Sequence, residues 1–170
     1  VHDLVVHPRD KELVIGTHGR SIYKTDVQYV QALVDSITNK TLYAWDLESV
    51  RHRGWGNAWS QWFPAEDPEV PMPLFAKSGG DLSVTLKMGS LEVHRFSTFV
   101  DAGLNFPSYN LAISESQAKA LEKEVNKEKE EEDQIKIKEA DNGKYYLAKG
   151  EYEVIMELNG AKLTKTLTLE

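Results

Sequence analysis

The chain has 170 residues, 41% of them apolar and 28% charged, with a net charge of −7. An acidic balance argues against nucleic acid and anionic membrane surfaces as partners, because affinity for either comes from Lys and Arg. Cysteine is absent, which excludes disulfides and thiolate metal sites, and no apolar run approaches the ~20 residues that would span a bilayer.

The first elements are β-rich. His2–His7 and Glu12–Thr17 have continuous apolar centres, and Pro8-Arg9-Asp10 between them has turn chemistry. Apolar runs without alternation predict strands covered on both faces. A second reversal follows at Thr17-His18-Gly19-Arg20, where Gly19 offers a positive φ, and Ser21–Thr25 reads as a third strand. An arginine and a histidine on such a turn could face an anion or a sugar carboxylate. The reading preferred here is structural, with His18, Gly19 and Arg20 as turn residues and Arg20 pairing with Asp26 or a carbonyl.

The period changes at Val27. Val27, Val30, Leu33, Val34 and Ile37 recur at helical spacing behind Asp26, which predicts one short amphipathic helix over 27–37. Leu42–Trp45 is a brief strand. The segment 47–80 holds four glycines and four prolines, punctuation that predicts an irregular connection. It also holds Trp55, Trp59 and Trp62, with Phe63 nearby. Flat aromatic faces suit sugar rings or a protein partner, so these three tryptophans are the candidate ligand-binding residues. The alternative is that they anchor a Gly/Pro-rich loop onto its own domain.

From Leu82 the text alternates through Met88, turns at Gly89-Ser90 and returns from Leu91 to Phe99. Ala102–Asn105 reads as a turn leading to Phe106–Ile113. Ser114 and Gln117 form a capping-box pattern opening a helical segment over 114–133. Ala118, Leu121 and Val125 give it a thin apolar stripe, beyond which its acidic end is expected to project as a solvated face or interaction arm. The last hairpin is the clearest. Tyr152, Val154, Met156 and Leu158 alternate, Asn159-Gly160 is a type I′ signal, and Leu163, Leu167 and Leu169 answer, with Lys165 marking a protected edge.

The text HDLVVHPRDKELVIGTHGRSIYKTD resembles the last blade of a β-propeller of the BNR/sortilin-like class, a group often labelled glycosyl hydrolases. LSVTLKMGSLEVHRF, DAGLNFPSYNL and AKGEYEVIMELNGAKLTKTLTL are similar to the small Ig-like sandwich that follows the propeller in such proteins. The resemblance implies a mainly β chain in three parts. Residues 1–46 would be a blade remnant with a linker helix and short strand, 47–80 an aromatic connection, and 81–170 an Ig-like antiparallel sandwich with a charged helical insertion. It further implies a secreted, extracytoplasmic bacterial protein whose first partner is the propeller preceding Val1. The orphaned strands 1–26 would pack on the sandwich or self-associate. No Ser-x-Asp-x-Gly-x-Thr-Trp box occurs, and Lys149-Gly150 stands where members of that class usually have Pro-Gly.

Catalytic chemistry is not legible. No nucleophile elbow is present, the five histidines lack zinc-motif spacing, and the dense carboxylates sit on the charged segment. The expectation is a non-catalytic accessory domain with no metal and no cofactor. The alternatives are the glycan-binding part of a glycoside hydrolase whose cleft lies in the propeller, and a protein-interaction module.

Overall fold

Alternating apolar residues in three long strands organise the larger part of the molecule. The computed structural model describes residues 3–19, 21–58, 60, 62 and 65–170. Two compact units meet in sequence between Lys40 and Thr41.

The first unit is an antiparallel meander, β1 (Asp3–Val6), β2 (Glu12–Gly16) and β3 (Ile22–Asp26) in sequential order. The first turn is closed by the Lys11 amide donating to the His7 carbonyl at 3.0 Å. Lys11 takes φ 53°, and the Asp10 amide donates to His7 Nδ1 at 3.2 Å. The register puts Leu4, Ile15 and Tyr23 on one face, and Val5 and Val14 on the other. Two helices follow, α1 (Gln28–Gln31) and α2 (Asp35–Thr38), in place of one continuous helix. The Asp26 carboxylate does accept from the Gln28 amide at 2.7 Å, at the expected start. The break falls where Val34 is extended (φ −116°, ψ 164°), since β-branched residues stiffen the chain against a helical turn.

The second unit holds two antiparallel sheets over one core. The larger has the order β14–β13–β7–β8, with β7 at Gly80–Met88, β8 at Leu91–Val100, β13 at Gly150–Leu158 and β14 at Ala161–Leu169. Leu82, Val84 and Leu86 from β7 and Tyr152, Val154, Met156 and Leu158 from β13 form its buried face. Each buried leucine contributes about 2 kcal/mol by leaving water. Asn159 and Gly160 take φ 49° and 80°, the positive pair that a type I′ turn demands.

The smaller sheet has the order β4–β6–β9, from Leu42–Ala44, Leu74–Ala76 and Gly103–Asn105. Leu42, Ala44, Leu74 and Ala76 join the same apolar cluster as the larger sheet, so the unit is a two-layer, mainly β structure. Two strand pairs are shorter, β5 (Val70–Pro71) with β10 (Ser108–Tyr109), and β11 (Ala112–Ile113) with β12 (Tyr145–Tyr146).

These pairings revise the expected boundaries. β4 belongs to the second unit, and β5 and β6 lie inside the supposed irregular connection. Pro68, Pro71 and Pro73 obscured β6, yet none of them falls within Leu74–Ala76, so its ladder bonds survive. Residues 103–105 form a strand and not a turn, because β6 offers them a partner.

Helix α3 (Glu115–Val125) starts at the predicted capping box. The Gln117 amide donates to Ser114 Oγ, and the Ser114 amide to Gln117 Oε1 at 2.8 Å. It stops eight residues before Asp133. The Asn126 side chain donates to the Ile135 carbonyl at 2.7 Å and accepts from the Ile135 amide at 2.9 Å, folding the chain back. The charged run 127–133 therefore makes turns and a 3-10 segment (Glu131–Asp133) where a projecting helix was expected. No apolar residue in it could hold further helical turns against the core.

Candidate functional site

The aromatic connection is fixed to the second unit at its first glycines. Gly54 and Gly56 take φ 65° and 70°. The Gly56 carbonyl accepts from the Asn142 amide at 3.0 Å, and its amide donates to the Glu66 carbonyl at 3.1 Å. Alongside, the Asp141 amide donates to Asn57 Oδ1 at 3.2 Å, and Asp141 Oδ2 accepts from the Ala58 amide at 3.0 Å. Asp67 completes the attachment by accepting from the Tyr146 hydroxyl at 2.5 Å and from Asn142 Nδ2 at 3.0 Å, while pairing with Lys144. The Lys144 ammonium and then the Tyr146 hydroxyl hold the Asp67 carboxyl below the usual range. It stays ionised, so it serves as a pin more than as a proton donor.

The three candidate tryptophans separate on this frame. Trp55 packs against the core, with its ring centroid 4.4 Å from His52 and 6.2 Å from Tyr146, both tilted. Trp62 is 81% exposed. Trp59 lies outside the described residues, as do Phe63 and Arg20. Trp55 is thus both an anchor and a wall.

The wall belongs to a cleft of about 480 Å³ whose sides include His52, Trp55, Ile135, Ile137, Tyr146 and Lys149. His52 is placed by its backbone, where its amide donates to the Glu170 carbonyl at 2.8 Å beside the parallel bridge Val50–Leu169. Burial, and then the charge of Lys149, lower the His52 pKa, so the imidazole is neutral at pH 7 and presents a flat, weakly polar face. The residues that complete this cleft escaped the motif reading. The alternation Gln134-Ile135-Lys136-Ile137-Lys138 is the signal that could have found them.

A second, shallower recess of about 590 Å³ lies beside β8 and β10. There His94 stacks on Tyr109 at 5.0 Å and 11°, and Phe96 on Tyr109 at 5.2 Å. A bulge between Leu86 and Lys87 in the β7–β8 ladder leaves Val93 buried while His94 still pairs with Leu86. The Tyr109 hydroxyl donates to the Ala112 carbonyl at 2.6 Å, and burial pushes its pKa above the ordinary phenol value. Burial lowers the His94 pKa, against a raising hydrogen bond with Gln117 at 3.3 Å. Rings stacked this closely fill space and hold a loop.

The His18–Gly19 turn is exposed. It is closed from outside, with the Thr17 amide and Oγ1 both donating to the Ser21 carbonyl at 3.2 and 2.9 Å. Gly19 does not take the expected positive φ, and a β-carbon there would meet nothing within 4 Å, so the bonds of Thr17 make this reversal. Among the described residues, no three His, Asp or Glu side chains converge to hold a metal ion, and no helix is long and apolar enough to cross a membrane.

No protein-family model matches this chain, and no curated protein compared with it matches either.

Proposed function

We propose that this chain is a non-catalytic accessory region of a larger secreted bacterial β-propeller protein of the BNR/sortilin-like class. In this reading β1–β3 belong to the closing blade, and residues 41–170 are an Ig-like sandwich that stabilises the propeller or presents it to partners. The observation that carries it is the meander's apolar surface. Leu4, Val5, Ile22 and Tyr23 are 56%, 56%, 79% and 58% exposed, and the register distributes them over both faces. A sheet destined for water on one side keeps that side polar, whereas a propeller blade is covered by neighbours on both. The two antiparallel sheets sharing one core support the sandwich assignment.

Hydrogen exchange tests this on the chain alone and on a longer product of the same gene that extends upstream. Residues 3–26 should be orders of magnitude better protected in the longer product than in the dilute chain alone, where protection that rises with concentration is the self-association expected of orphaned strands. Equal protection in both at dilution would remove the reading.

A second reading, glycan binding within a glycoside hydrolase, rests on the exposure of Trp62. Titration with an oligosaccharide panel, following tryptophan emission in the wild type and in Trp62→Ala, decides it. Silence across the panel counts against it.

A further inference from the structure

We infer that the segment Gln134–Glu139, whose burial alternates from Ile135 to Lys138, is a docking edge for a peptide strand that alternates apolar and acidic residues. The segment leaves the 3-10 turn at Gln134 with φ −65° and ψ 134°. Ile135 and Ile137 pack against the core, while Lys136 and Lys138 are exposed. The odd-numbered amides are occupied on one side, Ile135 by Asn126 Oδ1 at 2.9 Å and Ile137 by Glu122 Oε2 at 2.8 Å. In extended chain the amides of Lys136 and Lys138 then point to the opposite edge. Among the described residues those two amides have no hydrogen-bond partner. An open strand edge of this kind is a template for a further strand.

The cleft beside that edge selects the side chains. Its lining carries four lysines, Lys129, Lys136, Lys138 and Lys149, against the single glutamate Glu139, in a protein whose net charge is −7. The same lining includes the apolar Trp55, Ile135, Ile137 and Leu147. A strand pairing with 135–138 would place every second side chain beside the isoleucines and Trp55, and the intervening ones beside Lys136 and Lys138. Apolar residues fit the first set and carboxylates the second. Backbone bonds would supply affinity, and the rim charges mostly partner choice and on-rate. This inference is independent of the propeller reading.

The test uses the full chain and a blocked hexapeptide of alternating valine and glutamate, with tryptophan emission as the readout. Comparison peptides replace glutamate by lysine, or N-methylate alternate residues in each of the two phases. The glutamate peptide should bind, the lysine peptide should not, and only one methylation phase should abolish binding. The double variant Lys136→Glu, Lys138→Glu, at two exposed positions, should weaken the glutamate peptide about tenfold or more while the urea midpoint stays put. Equal binding of both peptides, indifference to both methylation phases, or binding of an acidic oligosaccharide with the peptides silent would overturn the inference.

Discussion

Gly56 lies so close to Tyr146 that a β-carbon at position 56 would fall 2.5 Å from Tyr146 Cε2 and 2.7 Å from Asn142 Oδ1. Its φ of 70° is also one that L-residues avoid. Gly56→Ala therefore combines a left-handed backbone penalty of about 1–2 kcal/mol with displacement of a ring that Asp67 holds in place. Urea unfolding should show a loss of about 2 kcal/mol or more, accompanied by a red shift of tryptophan emission as Trp55 leaves His52 and Tyr146. An unchanged midpoint would mean that the connection is not fixed by this contact.

Lys165 reaches Asp46 at 2.7 Å and lies 6.0 Å over the Tyr43 ring, although its backbone sits between the inward-facing Leu163 and Leu167 on edge strand β14. The side chain is only 22% exposed. A charge placed inward on an edge disfavours pairing with another sheet, because a neighbouring strand would have to bury it. Lys165→Leu is expected to preserve or raise the melting temperature while increasing self-association in light scattering as concentration rises. A variant that stays monomeric would show that the edge is protected by other means, such as the Val50 bridge at its end.

Much of this second unit can be read from residue order because its alternation is long. Leu82–Met88 and Tyr152–Leu158 each present a whole apolar face, and a one-residue slip would expose it to water. The shorter pieces are another matter. Leu74–Ala76 is a strand because Leu42–Ala44 and Gly103–Asn105 lie on either side of it, a long-range fact that three residues cannot announce. The continuous helix expected over 27–37 and the projecting end expected beyond Val125 fail for related reasons. In each, local periodicity was weaker than one specific competitor, extended Val34 in the first case and the Asn126–Ile135 clamp in the second. The site was legible in part. Trp55 stood out by type, but its wall partners Tyr146 and Ile137 lie 91 and 82 residues away in the chain and only the fold brings them together.

Acid should destabilise the second unit in two windows. His94 and His52 have pKa values lowered in the folded state, chiefly by burial. Below the ordinary imidazole value of about 6.5 the unfolded chain gains protons that the folded chain resists, so stability falls as pH drops through that value. Asp67 behaves as a depressed carboxylate. Its contribution is present above the ordinary carboxylate range and is lost as pH falls through the lowered folded value. Urea midpoints should therefore be level above about pH 7.5, lower by pH 5.5, and lower again below about pH 4. His94→Phe, which can keep the stack on Tyr109, should shrink the first step to the share of His52 and leave the second. A first step of unchanged size in that variant would assign it to His52 or to another group.

The Asn126 clamp predicts a contrast within the charged segment. Asn126 makes two hydrogen bonds to Ile135, at 2.7 and 2.9 Å, and these are what return the chain to the core after α3. Asn126→Ala removes both and leaves a partly buried amide and carbonyl with only water to satisfy them, a loss of about 1–3 kcal/mol. The Ile135 and Ile137 amides should then exchange faster, since the Ile137 amide donates to Glu122 Oε2 on the helix that the clamp follows. The exposed Glu130, Glu131 and Glu132 carry comparable sequence prominence, but among the described residues their side chains make no bond to Ile135. Changing all three to Gln should leave the midpoint and the exchange of Ile135 unaltered. If the triple variant instead loosens Ile135 as much as Asn126→Ala does, the return of the chain is electrostatic in origin and the clamp is incidental.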